Sequence, residues 1–209
     1  MRLPALLAVA VLMAGCSPRQ VDISSAYWPG RHAPQARDSD GWPLWEKAPL
    51  KGVKIGQPSI PEMDRLEHVC FLWDETGLYG KVFAFEFPQI EVVPRSGGPR
   101  VVVMGTTPVR HNQSLGEVSA FLENNDEYVR LESGDFHTVD RGWVMKPGQC
   151  QTEFWLSWKA ITGDGLPTEP LAIRVNDRLL TLDTQKRAQY ISYVPARELE
   201  TRRLLWATR

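Results

Sequence analysis

The sequence predicts an all-β domain, an antiparallel β-sandwich of jelly-roll or immunoglobulin-like type. Two observations favour this class. Gly and Pro number 16 each and are spread along the 209 residues, as expected for many turns between short strands. Several short stretches alternate apolar and polar residues without helix-like stretches between them, which argues against a parallel α/β sheet.

The composition argues against one class of function and raises the question of another. The net charge is −1, from 24 basic and 25 acidic side chains, and this balance argues against a nucleic-acid-binding protein. The hydrophobic content of 43% is that of a folded chain. Eight Trp residues are many for this length. Because an indole is large and carries an N–H that needs a partner, this number raises the question of a surface on which a ligand stacks.

The N-terminus has the pattern of a secretory signal. Arg2 precedes an uncharged apolar run over residues 3–13, which is too short to span a bilayer. Two small residues then precede Cys16, an arrangement that resembles the lipobox of bacterial lipoproteins. We expect residues 1–15 to be removed, Cys16 to be acylated with chains such as palmitate, and Ser17 to direct the protein to the outer membrane, facing the periplasm. The alternatives are an ordinary signal peptide that is cleaved nearby and a buried apolar helix.

Residues 16–40 are rich in Pro, Arg, Ser and Gln and show no periodicity. They are predicted to form a tether between the lipid and the domain, with Tyr27 and Trp28 as candidate anchors. The β domain is then expected over residues 41–209.

The first predicted hairpin joins an apolar run at residues 69–72 to a strand at residues 78–87. The Asp-x-x-Gly sequence of residues 74–77 is typical of the turn between them. Both faces of the second strand are largely apolar, which predicts a central strand that is covered on both sides.

The remaining elements are predicted to be short. Asn124, Asn125 and Asp126 form a typical hairpin turn. A helical turn is expected at residues 158–163, and a short C-terminal helix is possible within residues 195–206. Further strands are predicted at residues 100–104, 118–123, 128–132, 152–158, 171–175 and 187–194.

Three segments, in order, resemble the family 9 carbohydrate-binding modules and their DOMON-like relatives. They are residues 71–82, with the Trp-Asp, acidic turn and Leu-Tyr pattern, the hairpin at 119–129, and the strand at 152–161. The resemblance implies a jelly-roll-like β-sandwich with sugar binding as the nearest known activity. Ser119 and Ser157 stand where that family usually has a carboxylate and a Pro, so its calcium and ligand residues are not transferred to this chain.

The candidate ligand-binding residues are Trp143, Trp155, Arg174, Asn176 and Asp177. Trp155 lies opposite the apolar face of its predicted strand, and Arg174 and Asn176 lie opposite the apolar face of theirs. If the two strands are neighbours, these side chains form one polar and aromatic surface, with Trp143 at its edge and Asp177 at its end. Such a surface suits a sugar ring. The alternative is that these groups satisfy one another beneath loops.

The sequence carries no catalytic signature. The four His have no metal-ligand spacing with each other or with Cys, and there is no nucleophile elbow, phosphate loop or dinucleotide motif. We therefore expect a non-catalytic protein. Asp135, His137 and Asp140 are interpreted as a solvated polar loop.

Calcium and haem are alternative ligands that the main prediction does not include. Oxygen atoms of Asn124, Asp126 and Glu127 could bind calcium, although turn chemistry also explains this cluster. Some DOMON-like domains bind haem through an axial Met with Lys or His. The residues of this chain that could serve are Met104, Met145, His111 and His137.

Cys70 and Cys150 remain after signal removal, and in an oxidising periplasm they form either a disulfide or two buried thiols. The expected partners are the membrane, through the lipid, and a carbohydrate. The alternative function is an envelope lipoprotein that binds a protein partner and no small ligand.

Overall fold

A computed structural model of the chain describes residues 28–48, 50–55, 68–84, 87–94, 99–105, 117–143, 150–186 and 190–193. The predicted signal at 1–15, Cys16 and Ser17 lie outside these ranges, as do Tyr27 and the predicted helix within 195–206. In the described part of the chain, none of the helices is long and apolar enough to cross a bilayer.

The predicted all-β class is confirmed, because the described residues form 13 strands, one short α-helix and one 3₁₀ turn. Helix α1 spans Trp158–Thr162, and the 3₁₀ turn spans Trp45–Lys47. The strands are β1 Gly30–His32, β2 Val53–Lys54, β3 His68–Trp73, β4 Gly77–Ala84, β5 Ile90–Pro94, β6 Arg100–Gly105, β7 Val118–Asn124, β8 Glu127–Arg130, β9 Phe136–Trp143, β10 Cys150–Ser157, β11 Leu171–Val175, β12 Arg178–Leu182 and β13 Tyr190–Tyr193.

The strands form one continuous sheet, curled into a half-barrel, in the order β8-β7-β6-β5-β11-β12-β13-β1-β3-β4-β10-β9, with β2 paired to β3. We call β2, β3, β4, β10 and β9 the first wing, and β13, β12, β11, β5, β6, β7 and β8 the second wing. Strand β1 joins the wings, since it pairs in parallel with β3 and antiparallel with β13. The jelly-roll connectivity stays a prediction.

The two wings enclose one apolar core. Alternate residues of each strand point inward, because successive side chains of a strand lie on opposite faces of the sheet. The two apolar sets predicted from alternation, at residues 154–158 and 171–175, both belong to this core, which confirms them. Its largest members, which are almost completely inaccessible, are Trp73, Trp158, Phe71, Phe154, Leu78, Ile90, Leu156, Ile161, Leu171, Ile173 and Leu180. Burial of each such side chain contributes about 1.5–3 kcal/mol.

The turns between the strands follow local sequence chemistry. In the β7–β8 hairpin, Asn125 and Asp126 have φ values of 49° and 69°, so the predicted turn is confirmed. These two residue types tolerate the left-handed region because their short side chains can bond locally. Helix α1 is capped at its N-terminus by Ser157, whose hydroxyl accepts the Ala160 N–H, and at its C-terminus by Gly163, with φ of 79°. A Ser N-cap and a left-handed Gly are typical helix boundaries.

Two predictions are wrong, one about the end of the tether and one about the segment around His137. The tether predicted over residues 16–40 does not extend to residue 40, because Gly30–His32 is strand β1. Trp28, one of the two candidate anchors, packs against the sheet, with its ring centroid 3.5 Å from that of Tyr190. The polar loop predicted around His137 is strand β9. Both segments have few apolar residues, since one face of each is polar or partly exposed, and the alternation is therefore weak.

Candidate functional site

A segment that precedes the first hairpin covers the outer face of the first wing. We call residues 33–48 the strap. Its Trp42 packs edge-on against Tyr79 of β4, with ring centroids 6.0 Å apart, and both side chains are 8% exposed. Ala33, Ala48 and Leu72 belong to the same apolar cluster. The strap thus gives β4 the second covered face that its sequence predicts.

Asp74, in the β3–β4 turn, fastens the strap to the sheet. Its side chain is 5% exposed, and one carboxylate oxygen accepts a 2.6 Å hydrogen bond from Arg37 of the strap and a 3.1 Å bond from the Tyr79 hydroxyl. The other oxygen accepts the N–H groups of Thr76 and Gly77 and the Thr76 hydroxyl. A buried carboxylate with this many donors is fully compensated for its loss of water.

A second attachment joins the strap to strands β9 and β10. Arg141 of β9 binds Asp38 of the strap at 2.6 Å and Glu153 of β10 at 3.2 Å. Burial alone would lower the pKa of Arg141, but the carboxylates of Glu153 and Asp38 raise it above its ordinary value. Lys81 of β4 lies 3.4 Å from Glu153, whose side chain is only 3% exposed. Glu153 and its two cationic partners, Lys81 and Arg141, are therefore largely buried.

Asp38 also shapes the strap itself. Its Oδ1 accepts the N–H groups of Asp40 and Trp42, both at 2.9 Å, and Gly41 between them has φ of 86°. A left-handed residue completes this tight turn, and Gly adopts that conformation without strain. The turn places Asp40 and Trp42 next to strands β9 and β10.

An open cleft of about 530 Å³ lies between this turn and the sheet. This volume lies in the range of small-molecule sites, about 300–1,000 Å³. The cleft has an aromatic floor and a polar rim. Its described lining residues are Asp40, Gly41, Trp42, Thr76, Tyr79, His137, Thr138, Val139 and Trp155.

Trp155 occupies the centre of the cleft wall. In the sheet it pairs with Tyr79 on β4 and with His137 on β9. The imidazole of His137 is stacked on the indole, with centroids 5.4 Å apart and an interplanar angle of 25°. The indole lies over Gly77, where an added Cβ would clash with Trp155 Nε1 and with the Leu156 carbonyl. Gly77 is therefore required for this ring position.

The structure brings Trp155 to a cleft but does not join it to the other predicted ligand residues. Strand β10, which carries Trp155, is separated from β11, which carries Arg174, by β4, β3, β1, β13 and β12. The predicted common surface of Trp155, Arg174 and Asn176 is therefore wrong. Alternation correctly assigned Trp155 and Arg174 to outer faces, but the two faces belong to different wings, and Asn176 lies in a turn beyond the end of β11.

The remaining predicted ligand residues have other surroundings. Arg174 binds Glu91 of β5 at 3.3 Å. Asn176, with φ of 50°, forms the β11–β12 turn, and its side-chain oxygen accepts the Gln89 N–H. Asp177 is exposed and contacts its neighbour Arg178. Trp143 ends β9, and its side chain lies outside the described part of the structure.

The possible disulfide between Cys70 and Cys150 is also wrong. Cys70 pairs with Lys81 and Cys150 pairs with Ala84, on opposite sides of β4. Two strand spacings and three residues along the strand separate the two Cα atoms by about 14 Å, about twice the limit for a bridge. Cys70 is a buried free thiol, and burial raises its pKa to about 12.

Neither weighed cofactor finds a site among the described residues. Asn124, Asp126 and Glu127 belong to the exposed β7–β8 hairpin, and nowhere in the described ranges do three His, Cys, Asp or Glu side chains lie together as metal ligands would. Met104 lies on β6 of the second wing, whereas His137 lies on β9 of the first. The other two candidate haem ligands, His111 and Met145, fall outside the described residues.

The sequence reading missed the strap's part in the cleft. Asp40 falls within the predicted tether, and Trp42 is not among the predicted ligand-binding residues. One signal was present: an aromatic residue on the second face of β4, Tyr79, requires a cover that no predicted strand supplied.

Comparison of the chain with protein-family models and with curated proteins finds no match.

Proposed function

We propose that this chain is a non-catalytic, lipid-anchored protein of the bacterial envelope that binds a glycan or small sugar in the cleft beneath the strap. The observation that carries the proposal is the position of Trp155, which stands in an open cleft with Tyr79, Trp42 and the stacked His137. The resemblance of three segments to family 9 carbohydrate-binding modules supports the same ligand class.

The chemistry of the lining suits a sugar. A pyranose has a C–H face that packs on aromatic rings, and hydroxyl groups at its edge that need polar partners. Trp155, which is partly exposed, supplies the ring for stacking, and the mostly buried Tyr79 and Trp42 supply apolar edges beside it. The Thr138 hydroxyl and the Asp40 carboxylate supply polar partners. The two charged attachments hold the cleft walls in place before a ligand arrives, which limits the ordering cost of binding.

A glycan array followed by calorimetric titration of the full chain in detergent micelles tests the proposal. We expect at least one glycan to bind, and Trp155→Ala to weaken it by about tenfold or more, since stacking on a large ring is lost. Tyr128→Ala is the matched control, because Tyr128 is 55% exposed on β8 of the second wing, outside the cleft. The sugar proposal fails if no glycan binds, or if the two variants weaken binding equally.

Membrane attachment is proposed to occur through Cys16. The Cys16→Ser variant should move from the membrane pellet to the soluble fraction, because the acyl chains that hold the protein would be missing. A variant that stays in the pellet after a high-salt wash would contradict the lipid anchor.

One observation favours a second function, binding of an envelope protein. Strand β8 is the edge of the second wing, all four of its residues are exposed, and Tyr128 and Val129 present apolar surface there. Exposed edge strands can accept a strand from a partner. Cross-linking in intact cells that returned one stoichiometric protein, together with no glycan binding, would favour this function over the first.

A further inference from the structure

We infer that the sugar held in the cleft carries a cationic amino group, an inference that rests on the proposed function. The described lining residues include one carboxylate, that of Asp40, and no Lys or Arg. The Asp40 side chain is 64% exposed, so its charge is accessible to a ligand at the rim.

The charges behind the cleft wall leave the Asp40 carboxylate in excess. Three cations there are each paired with a carboxylate, at 2.6, 2.6 and 3.4 Å: Arg37 with Asp74, Arg141 with Asp38, and Lys81 with Glu153. Asp40 is a fourth carboxylate beside these three cations, so these seven groups carry one more negative than positive charge. The nearest of the three cations is Arg141, which forms a 3.8 Å ion pair with Asp40, too long for a hydrogen bond, and is shared with Asp38 and Glu153.

The aromatic lining favours a cation as well. The faces of Trp and Tyr rings carry negative charge density that attracts ammonium and guanidinium groups. This side of the sheet already uses the effect, because the Arg37 guanidinium lies 5.6 Å from the centre of the Tyr79 ring and Lys81 Nζ lies 5.5 Å from that of Trp45. Since these cations already occupy Tyr79 and Trp45, a ligand ammonium would meet the partly exposed Trp155 ring and the Asp40 carboxylate, both of which line the cleft.

The same features disfavour acidic sugars. A uronic acid or a sugar phosphate would bring a negative charge towards Asp40, and no Lys or Arg stands among the described lining residues to receive it. Two negative charges that approach each other in a partly enclosed cleft repel more strongly than they do in bulk water. The expected order of affinity is therefore cationic, then neutral, then anionic.

Calorimetric titration of the full chain in neutral detergent, at about pH 7.5, tests the first part of this order, the preference for a cationic over a neutral sugar. The probes are three β-1,4-linked tetrasaccharides that differ only at carbon 2, with a hydroxyl, an acetamido or a trimethylammonium group. We expect the trimethylammonium sugar to bind about fivefold tighter or more, the acetamido sugar serving as the bulky neutral control. The difference should shrink in high salt.

The Asp40→Asn variant should remove most of this preference while it still binds the neutral sugars. Asp177→Asn is the control, because Asp177 is an exposed carboxylate on the second wing, and it should keep the preference. Equal affinities for the three sugars, or an unchanged preference in Asp40→Asn, would overturn the inference and leave the proposed function standing. Binding of none of them, with no hit on the glycan array, would overturn both.

Discussion

The two wings carry the same charged arrangement on their outer faces, and they bury it to different extents. On the first wing, Glu153 accepts hydrogen bonds from Gln151 and Arg141 and forms an ion pair with Lys81. On the second wing, Glu91 is bound in the same way by Gln89, Arg100 and Arg174. The strap covers the first arrangement, whereas the cations of the second are 36% exposed.

This difference shows what a covering segment does to a charged sheet face. Beneath the strap the Glu153 side chain is 3% exposed and its partners Lys81 and Arg141 are 16% and 26% exposed, so water compensates little if a partner is lost. On the second wing, Glu91 is 13% exposed and its partners Arg100 and Arg174 are each 36% exposed. Solvent therefore screens these pairs more than those beneath the strap, and their net contribution to stability is smaller. The outer face of the first wing therefore has a cleft between the strap and the sheet, whereas the ion pairs of the second wing lie on a partly exposed face.

The largest expected effect comes from removing the central carboxylate of each arrangement. Glu153→Gln keeps the shape of the side chain but leaves Lys81 and Arg141 with one carboxylate fewer in a partly buried place. We expect a loss of about 2–3 kcal/mol in the free energy of unfolding, measured by urea denaturation. Glu91→Gln is the matched change on the open face, and it should cost less than about 1 kcal/mol.

If Glu153→Gln and Glu91→Gln lower the free energy of unfolding equally, burial beneath the strap has no influence on the strength of these ion pairs. A larger loss of unfolding free energy in Glu91→Gln would show that the partly exposed ion pairs are the stronger ones.

A smaller effect is expected from acid. Burial raises the pKa of Asp38, but hydrogen bonds from the Trp42 N–H, Arg141 and the Asp40 N–H lower it more, so that the carboxyl titrates below its ordinary value. A lowered pKa in the folded state means that Asp38 contributes its stabilisation above its unfolded pKa and loses it as the pH falls through the folded value. The attachment of the strap should therefore weaken below about pH 4.

Urea denaturation at several pH values below about 5 checks this expectation. The Asp38→Asn variant should be less stable than the wild type at neutral pH, and its stability should fall less steeply in acid. The exposed Asp177→Asn variant should follow the wild-type curve. Parallel curves for Asp38→Asn and the wild type would contradict a role for Asp38 in the acid response.

Several features of the fold were predictable because they depend on local chemistry. The inward faces of β10 and β11 follow from alternation, and the turns at Asp74 and Asn125 follow from side chains that bond to nearby backbone groups. Trp155 was correctly placed on an outer face, and Trp158 in the core. Strand β9 was missed because an edge strand with one exposed face carries little apolar signal.

The candidate site could be predicted only in part. Trp155 was identified from its position in an alternating strand, but Asp40, Trp42 and Tyr79 come to it from segments far away in the sequence. Arg174 satisfies the same alternation rule as Trp155 and lies on the other wing. Alternation specifies the face of a strand and contains no information about which strand is its neighbour.

By itself, the sequence determined the all-β class, the inward side of the principal strands and the chemistry of the tight turns, because each depends on residues close together in the chain. The tertiary structure alone decided the strand order, the separation of Cys70 from Cys150, and the placement of the strap over Tyr79 and Trp155. These features depend on long-range pairing and on which segment buries an apolar face, and the free energy of that choice is a property of the whole chain.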